Sequence, residues 1–182
     1  MTLVDAYETR VADAILAVRD QGDKPGFVVK TDKILATLRA AHDLGFEHLA
    51  CLTAIDFPPD TPVEIKIGPD AAKVPKEDPR IEVVYNLYSY IDHQHLVLRV
   101  ALPREAPEVD SATSIWKGAD WLEREVLDLY GVSFRGHPNP KRLFMPEGWK
   151  GHPLRKDYAE PEQFINTADG VDVVSYDPKS GW

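Results

Sequence analysis

Residues 120–158, DWLEREVLDLYGVSFRGHPNPKRLFMPEGWKGHPLRKDY, constrain this chain more than any other stretch, because they join a short charged helix to a long segment that cannot be regular structure. Gly136, Pro138, Pro140, Pro146, Gly148, Gly151 and Pro153 interrupt both helix and central strand. The same segment carries Leu143, Phe144, Met145, Trp149 and Leu154, whose side chains want burial. An extended, apolar arm is most simply explained by another surface that covers it, and without that surface it is expected to be mobile, since irregular chain makes few local contacts to offset its ordering entropy.

The arm is also basic. Between residues 135 and 158, six basic residues (Arg135, Lys141, Arg142, Lys150, Arg155, Lys156) stand against Glu147 and Asp157, a local charge of +4 on a chain whose net charge is −9. Nucleic acid and anionic membranes would be repelled by the acidic remainder, so an acidic protein groove is the favoured target. With 182 residues, 43% hydrophobic and 28% charged, the chain has the composition of a soluble globular domain plus an extension. No run approaches the ~18 apolar residues of a spanning helix. The start, MTLVDAYETR, lacks the basic and apolar regions of a signal peptide, so neither membrane insertion nor secretion by that route is expected. A single cysteine, Cys51, excludes an internal disulfide and any cysteine-ligated iron–sulfur cluster or structural zinc built by this chain alone. It reads as a small buried apolar residue, and Trp116 and Trp121 read as packing residues.

Hydrophobic periodicity predicts an α/β (α+β) body, a compact mixed sheet flanked by helices over residues 1–133, followed by a long irregular C-terminal arm over 134–182. Val4, Tyr7, Val11, Ile15 and Val18 fall at helical spacing, predicting a helix over 3–18 that ends near Gly22. Residues 23–26 turn the chain into a strand at 27–29. Thr31 is placed to cap a second helix with Ile34, Leu35, Leu38 and Ala41 inward, stopped by Gly45. A strand follows at 48–55. Alternation predicts a hairpin of 81–89 and 95–102, with Ile81, Val83, Tyr85 and Leu87 facing the same way as Leu96, Leu98, Val100 and Leu102. Residues 57–80 hold six prolines and read as a surface insertion with room for a short strand at 63–67.

The last helix is predicted over 120–130, with a capping-box-like start from Asp120 and Glu123 and a stop at Gly131. Glu123, Arg124, Glu125 and Asp128 cover most of its circumference, so some of these charges should face protein. Arg124 and Asp128, four residues apart, are the candidates for a network that anchors the arm or meets a partner. Three other chemistries fit poorly. His93, His95, His137 and His152 follow no recognised ligand spacing. Glu123 and Glu125 diverge on the helix and cannot converge on one substrate. Phe144 and Trp149 could stack nucleobases, but the basic residues around them are interleaved with prolines on an acidic protein.

Glu123-Arg124-Glu125, Asp128-Leu129-Tyr130-Gly131, Gly136-His137-Pro138, Met145-Pro146, Trp149, and Gly151 through Leu154-Arg155-Lys156-Asp157-Tyr158 stand in an order and spacing that resembles the C-type, 30-kilodalton-type subunit of respiratory complex I, NADH:quinone oxidoreductase. The resemblance is weaker through Leu44-Gly45-Phe46, residues 52–56 and Glu82-Val83-Val84-Tyr85, and spans roughly residues 40–160. Pro140 and Phe144 stand where the family usually has aliphatic residues. The domain is also similar to subunits of the photosynthetic NDH-type complex, of coenzyme F420H2 dehydrogenases and of membrane-bound hydrogenases. The resemblance implies a scaffold of the hydrophilic arm with no catalytic, cofactor-binding or metal-binding residue of its own, the iron–sulfur clusters, FMN and quinone lying elsewhere in the assembled complex. It implies contacts with three neighbours: the quinone-site (D-type), terminal-cluster (B-type) and ferredoxin-like (I-type) subunits. The location implied is the cytoplasmic side of the bacterial inner membrane, or the matrix or stromal equivalent, with membrane association only through the complex. Glu123, Arg124, Glu125, Asp128, His137, Arg142, Trp149, His152, Arg155, Lys156, Asp157 and Tyr158 are the residues it places at partner interfaces.

Overall fold

The computed structural model describes residues 2–59, 79–146 and 148–159, together with the backbone of 163–164 and 174–175. The strand expected at 63–67 and most of the C-terminal tail lie outside the described residues.

A mixed five-stranded sheet forms the body, in the spatial order β1-β2-β5-β4-β3. Its strands are β1 (Ile15–Val18), β2 (Gly26–Val29), β3 (His48–Phe57), β4 (Arg80–Ser89) and β5 (Gln94–Pro103). Neighbours are antiparallel except β2 and β5, which run parallel. The predicted hairpin holds residue by residue: Ile81 pairs with Leu102, Val83 with Val100, Tyr85 with Leu98 and Leu87 with Leu96. All eight side chains are essentially inaccessible to solvent, because alternation puts every one on the face that packs on the helices.

Helices α1 (Leu3–Arg10) and α2 (Ile34–Leu44) pack on that face, joining Tyr7, Val11, Ile34, Leu38 and Ala41 to the core. Helix α1 is half the expected length. It closes at Val11, whose N–H donates to Tyr7 O, and Ile15–Val18 becomes a strand instead. Helical spacing over 3–18 was a true pattern with two readings: the run Ile15-Leu16-Ala17-Val18 serves a strand equally, and the edge of β2 offers ladder bonds there. The start of α1 is a capping box, Asp5 N–H donating to Thr2 Oγ1 and Thr2 N–H to Asp5 Oδ2. Thr31 does not cap α2. It lies in a 3-10 turn (Thr31–Lys33) and its hydroxyl donates to Ala101 O, tying that turn to β5.

Beyond the sheet, β6 (Glu108–Asp110) and β7 (Ser133–Arg135) pair in parallel, with α3 (Ala119–Tyr130) as their crossover. Trp116 is buried before α3 with its indole N–H donating to Glu47 O. Strand β7 straddles the boundary expected at 133/134, so irregular chain starts at residue 136. Past the arm, β8 (Gln163–Phe164) and β9 (Val174–Ser175) form a short antiparallel pair.

The sheet's second face carries charge that alternation alone assigns to solvent. Glu82 is buried between Arg19 (2.7 Å) and Arg80 (2.9 Å), and Arg99 donates to Arg19 O and to Gln21 Oε1. Long arginine stems can lie along β-strands and cover apolar neighbours while their heads stay paired.

Candidate functional site

Helix α3 is where the arm returns to the body. Its N-cap position is Gly118, with no side-chain cap bond, so Asp120 and Glu123 do not form the expected box. Glu123 turns inward instead, fully buried, and accepts from Ala112 N–H (2.6 Å) and Ser111 Oγ–H (2.7 Å). Burial pushes its carboxyl up to about 7, against the pull of those two donors.

Asp128, one of the two candidate anchors, is fully buried beneath the arm. Its Oδ2 accepts three successive backbone N–H groups, from Leu143 (2.9 Å), Phe144 (2.7 Å) and Met145 (2.9 Å), while Oδ1 accepts from Arg142 Nη1 (3.0 Å). Three amides converging on one oxygen make a backbone anion nest, and Asp128 is the anion that fills it. Burial raises the Asp128 carboxyl, but the three N–H donors and Arg142 outweigh burial and hold it below the ordinary aspartate range. Arg124 does not pair with Asp128. Its guanidinium donates to Lys141 O and Arg142 O and lies 5.0 Å from the Trp121 ring centroid. Trp121 itself is 60% exposed, not packed in the core as its type suggested.

Two more fastenings hold the far limb of the arm. His152 Nδ1 donates to Asp128 O, Leu154 N–H to Leu129 O and Arg155 Nε to Tyr130 O, so residues 152–155 cover the last turn of α3. Burial lowers the His152 imidazole from its ordinary value, leaving it neutral with its proton on Nδ1. Arg104, from the end of β5, then grips Asp56 with Nε and Nη2 and Asp157 with Nη1 and Nη2, all between 2.6 and 2.9 Å, and Lys156 N–H donates to Asp56 Oδ2. Arg104 lies outside the family motif and Asp56 in its weaker upstream part. Both meet the arm only through the fold, so no local pattern marks either as part of the site.

Gly131 is the hinge of this arrangement. It ends α3 in the left-handed region (φ 75°), and a Cβ there would overlap the His152 ring. Gly131→Ala is therefore expected to cost about 1–3 kcal/mol in backbone strain alone. It should also displace His152 from Asp128 O. Thermal unfolding together with the His152 ring resonances checks both; an unchanged ring environment would mean that the close approach is not needed.

Of the twelve residues expected at partner interfaces, Glu123 and Asp128 are wholly enclosed by this chain's own atoms, and the His137 side chain is 2% exposed. Glu125, Arg124, Arg142, Trp149, His152, Arg155 and Tyr158 are half-buried, and Lys156 and Asp157 are exposed. The Arg155 fork has one nitrogen committed inside the chain, to Tyr130 O, so it is not wholly available to a neighbour. Phe144 (57%) and Leu154 (47%) stand out from the fastened arm, close to α3. Cys51 is half-buried on β3 beside a register shift, more exposed than expected. Among the described residues no group of His, Cys, Asp and Glu is arranged to hold a metal ion, and no helix is long and apolar enough to cross a membrane.

Residues 27–163, which include the whole clasp of α3 and arm, match the family described as the respiratory-chain NADH dehydrogenase 30 Kd subunit. The chain belongs to that family. The C-type subunit of NADH-quinone oxidoreductase from Moorella thermoacetica is 41% identical over 144 residues, covering 79% of this chain and 85% of that one. Its counterpart from Citrifermentans bemidjiense is 35% identical over 150 residues, with 82% and 83% covered. Among solved structures, a trypsin-resistant fragment of Nqo5 superposes with a TM-score of 0.59 at 27% identity, covering 76% of this chain and 99% of the fragment. A chain of the membrane-bound sulfane sulfur reductase, an archaeal respiratory membrane complex, gives 0.68 at 22% identity over 86% and 84%, which shows the shared fold. The motif-based assignment to the 30-kilodalton-type subunit of complex I thus stands.

Proposed function

We propose that this 30 kDa-family subunit is a non-catalytic scaffold in the hydrophilic arm of a proton-pumping NADH:quinone oxidoreductase, supporting electron transfer from NADH through iron–sulfur clusters to quinone. The observation that carries the reading is the clasp: an irregular arm fastened to α3 and the sheet at Asp128, Tyr130 and Arg104 presents Phe144 and Leu154 outward, on the same chain as the exposed Trp121 of α3. A rigid apolar and basic surface suits a part that keeps redox partners in register, where misplacement by about an ångström weakens a reactive geometry. On this reading the partners are the D-, B- and I-type subunits, the clusters, FMN and quinone belong to them and to the rest of the complex, and the chain reaches the membrane only through the complex, on the cytoplasmic side or its organellar equivalent. The lone Cys51 supports the absence of a cluster held here. A second reading, the equivalent subunit of a related respiratory complex, draws support from the fold shared with the sulfane sulfur reductase chain. Gentle purification of the tagged chain from its host distinguishes the two by the polypeptides and iron–sulfur absorbance that come with it. Recovery of the chain alone would count against both.

Arg155 offers the sharper test. Its Nε holds Tyr130 O at 2.7 Å, which leaves the two Nη groups for a neighbouring subunit. A lysine can serve one of these roles but lacks the planar fork to serve both. Arg155→Lys should therefore lower the amount of assembled complex and its quinone reductase activity together, with activity per assembled complex nearly intact. Normal assembly with sharply reduced turnover would place Arg155 in the quinone chemistry and overturn the scaffold role.

A further inference from the structure

We propose that Glu123 is a proton-binding site built into the junction between α3 and the root of the arm, loaded from the surface through the Ser111–Thr113 hydroxyl pair. Among the described residues Glu123 has no lysine or arginine partner. It is 0% exposed, and its two donors, Ala112 N–H and Ser111 Oγ–H, are both uncharged. The third group facing it is the His137 ring, with Nε2 at 3.9 Å from Oε2. His137 Nδ1 accepts from Asn139 N–H, so the ring's proton sits on Nε2. That one proton faces three oxygens: Asp120 O at 3.2 Å, Asp120 Oδ1 at 3.2 Å, and Glu123 Oε2. Asp120 Oδ1 is buried without a hydrogen-bond donor.

The other titratable groups around the site are mostly acidic, and Arg135 among them is paired with acids. Helix α3 contributes Asp120. Strand β4 contributes Tyr85, whose buried hydroxyl lacks a hydrogen-bond partner and is held protonated by burial, Glu123 and Asp110. Strands β6 and β7 contribute Asp110 and Glu108 with Arg135, and that arginine is committed to Asp110 at 2.8 Å and Glu108 at 3.5 Å. A buried carboxylate among acceptors, with Arg135 already engaged by Asp110 and Glu108, is relieved by taking up a proton.

The hydroxyl pair makes both protonation states complete. Ser111 Oγ lies 2.7 Å from Glu123 Oε2 and 2.8 Å from Thr113 Oγ1, and it also accepts from Thr113 N–H. With Glu123 ionised, Thr113 donates to Ser111 and Ser111 to Glu123. With Glu123 neutral, its own O–H donates to Ser111 and Ser111 to Thr113. Thr113 is half-buried and reaches solvent, whereas Ser111 is 5% exposed. A proton arriving at Thr113 Oγ1 sends that hydroxyl's hydrogen to Ser111 Oγ, whose hydrogen passes to Glu123 Oε2. Each oxygen on the route makes one O–H bond as it gives one up, and the only net change is a carboxylate becoming a carboxylic acid. When the proton leaves, the new charge competes with Asp120 O for His137 Nε2–H, and so acts on the first residues of the arm.

The test uses the full chain labelled with 13C at the glutamate carboxyls and followed by NMR against pH. One carboxyl resonance should titrate near 7, apart from the other glutamates, and be missing in Glu123→Gln. The Asn139 amide, bonded to His137, should move with the same midpoint in the wild type and not in the variant. All glutamates titrating together in the ordinary acid range would overturn the site, as would an outlier that persists in Glu123→Gln. Both wild-type observations stand even if the variant folds poorly. After a pH jump, Thr113→Val should load several-fold more slowly with its midpoint in place, and an unchanged rate would overturn the hydroxyl route.

Discussion

Asp128→Ala is expected to release residues 142–145 from α3 and to destabilise the chain by about 3–5 kcal/mol, as for the removal of one partner from a buried charged pair. The size follows from what is left behind. Three backbone N–H groups converge on this fully buried carboxylate together with Arg142 Nη1, which also reaches Gly151 O, and without the carboxylate the three amides lose their acceptor. Trypsin reads the outcome directly, because Lys141 and Arg142 flank the nest: cleavage there should accelerate in the variant while the sheet stays intact. Acid should mimic the mutation. The folded-state pKa of Asp128 is depressed, so its contribution is fully present above the ordinary aspartate value of about 3.9 and is lost as pH falls through the lower folded value. Asp128→Asn should remove that acid dependence. Equal trypsin sensitivity of wild type and Asp128→Ala would mean that the arm is held elsewhere and that the nest contributes little.

The β4–β5 hairpin was legible in the sequence because alternation over ten residues admits one register that hides Ile81, Val83, Tyr85 and Leu87, and the structure adopts it. Helix α2 and the stops at Gly45 and Gly131 were legible for a similar reason: a periodic apolar face followed by a residue free to enter the left-handed region. Residues 15–18 misled because four consecutive apolar side chains satisfy either period, and only the neighbouring edge of β2 decides between them. The candidate site was half visible. Charge crowding on α3 pointed at Arg124 and Asp128 as members of a network that anchors the arm or meets a partner, and in the structure each reaches across to the arm through different partners. The clasp of Arg104 on Asp56 could not be found that way at all. Asp56 meets Lys156 across one hundred positions of sequence, and no local pattern announces a contact that only the finished sheet creates.

Arg104→Ala tests that long-range contact and should be the second large effect. Arg104 is 11% exposed and Asp56 1%, while Asp157, on the other side of the same guanidinium, is 59% exposed. The two ion pairs are therefore unequal: Asp157→Asn should cost only about 0–1 kcal/mol, whereas stranding Asp56 should cost about 3–5 kcal/mol. The pH dependence separates this from simple loss of packing. Burial alone would raise the Asp56 carboxyl, and it is Arg104, with Lys156 N–H, that holds it below the ordinary range. Without the guanidinium the carboxyl rises and takes a proton more readily. The deficit of Arg104→Ala relative to wild type should then be largest near neutral pH and shrink as pH falls, because wild type loses its ion pair in acid while the variant relieves a buried charge. Urea unfolding of both proteins at neutral and mildly acidic pH measures the difference, with Asp56→Asn combined with Arg104→Ala recovering part of the loss. A deficit that stays constant with pH would assign Arg104 to packing through its aliphatic stem and leave the end of the arm fastened by Lys156 N–H and Arg155 alone.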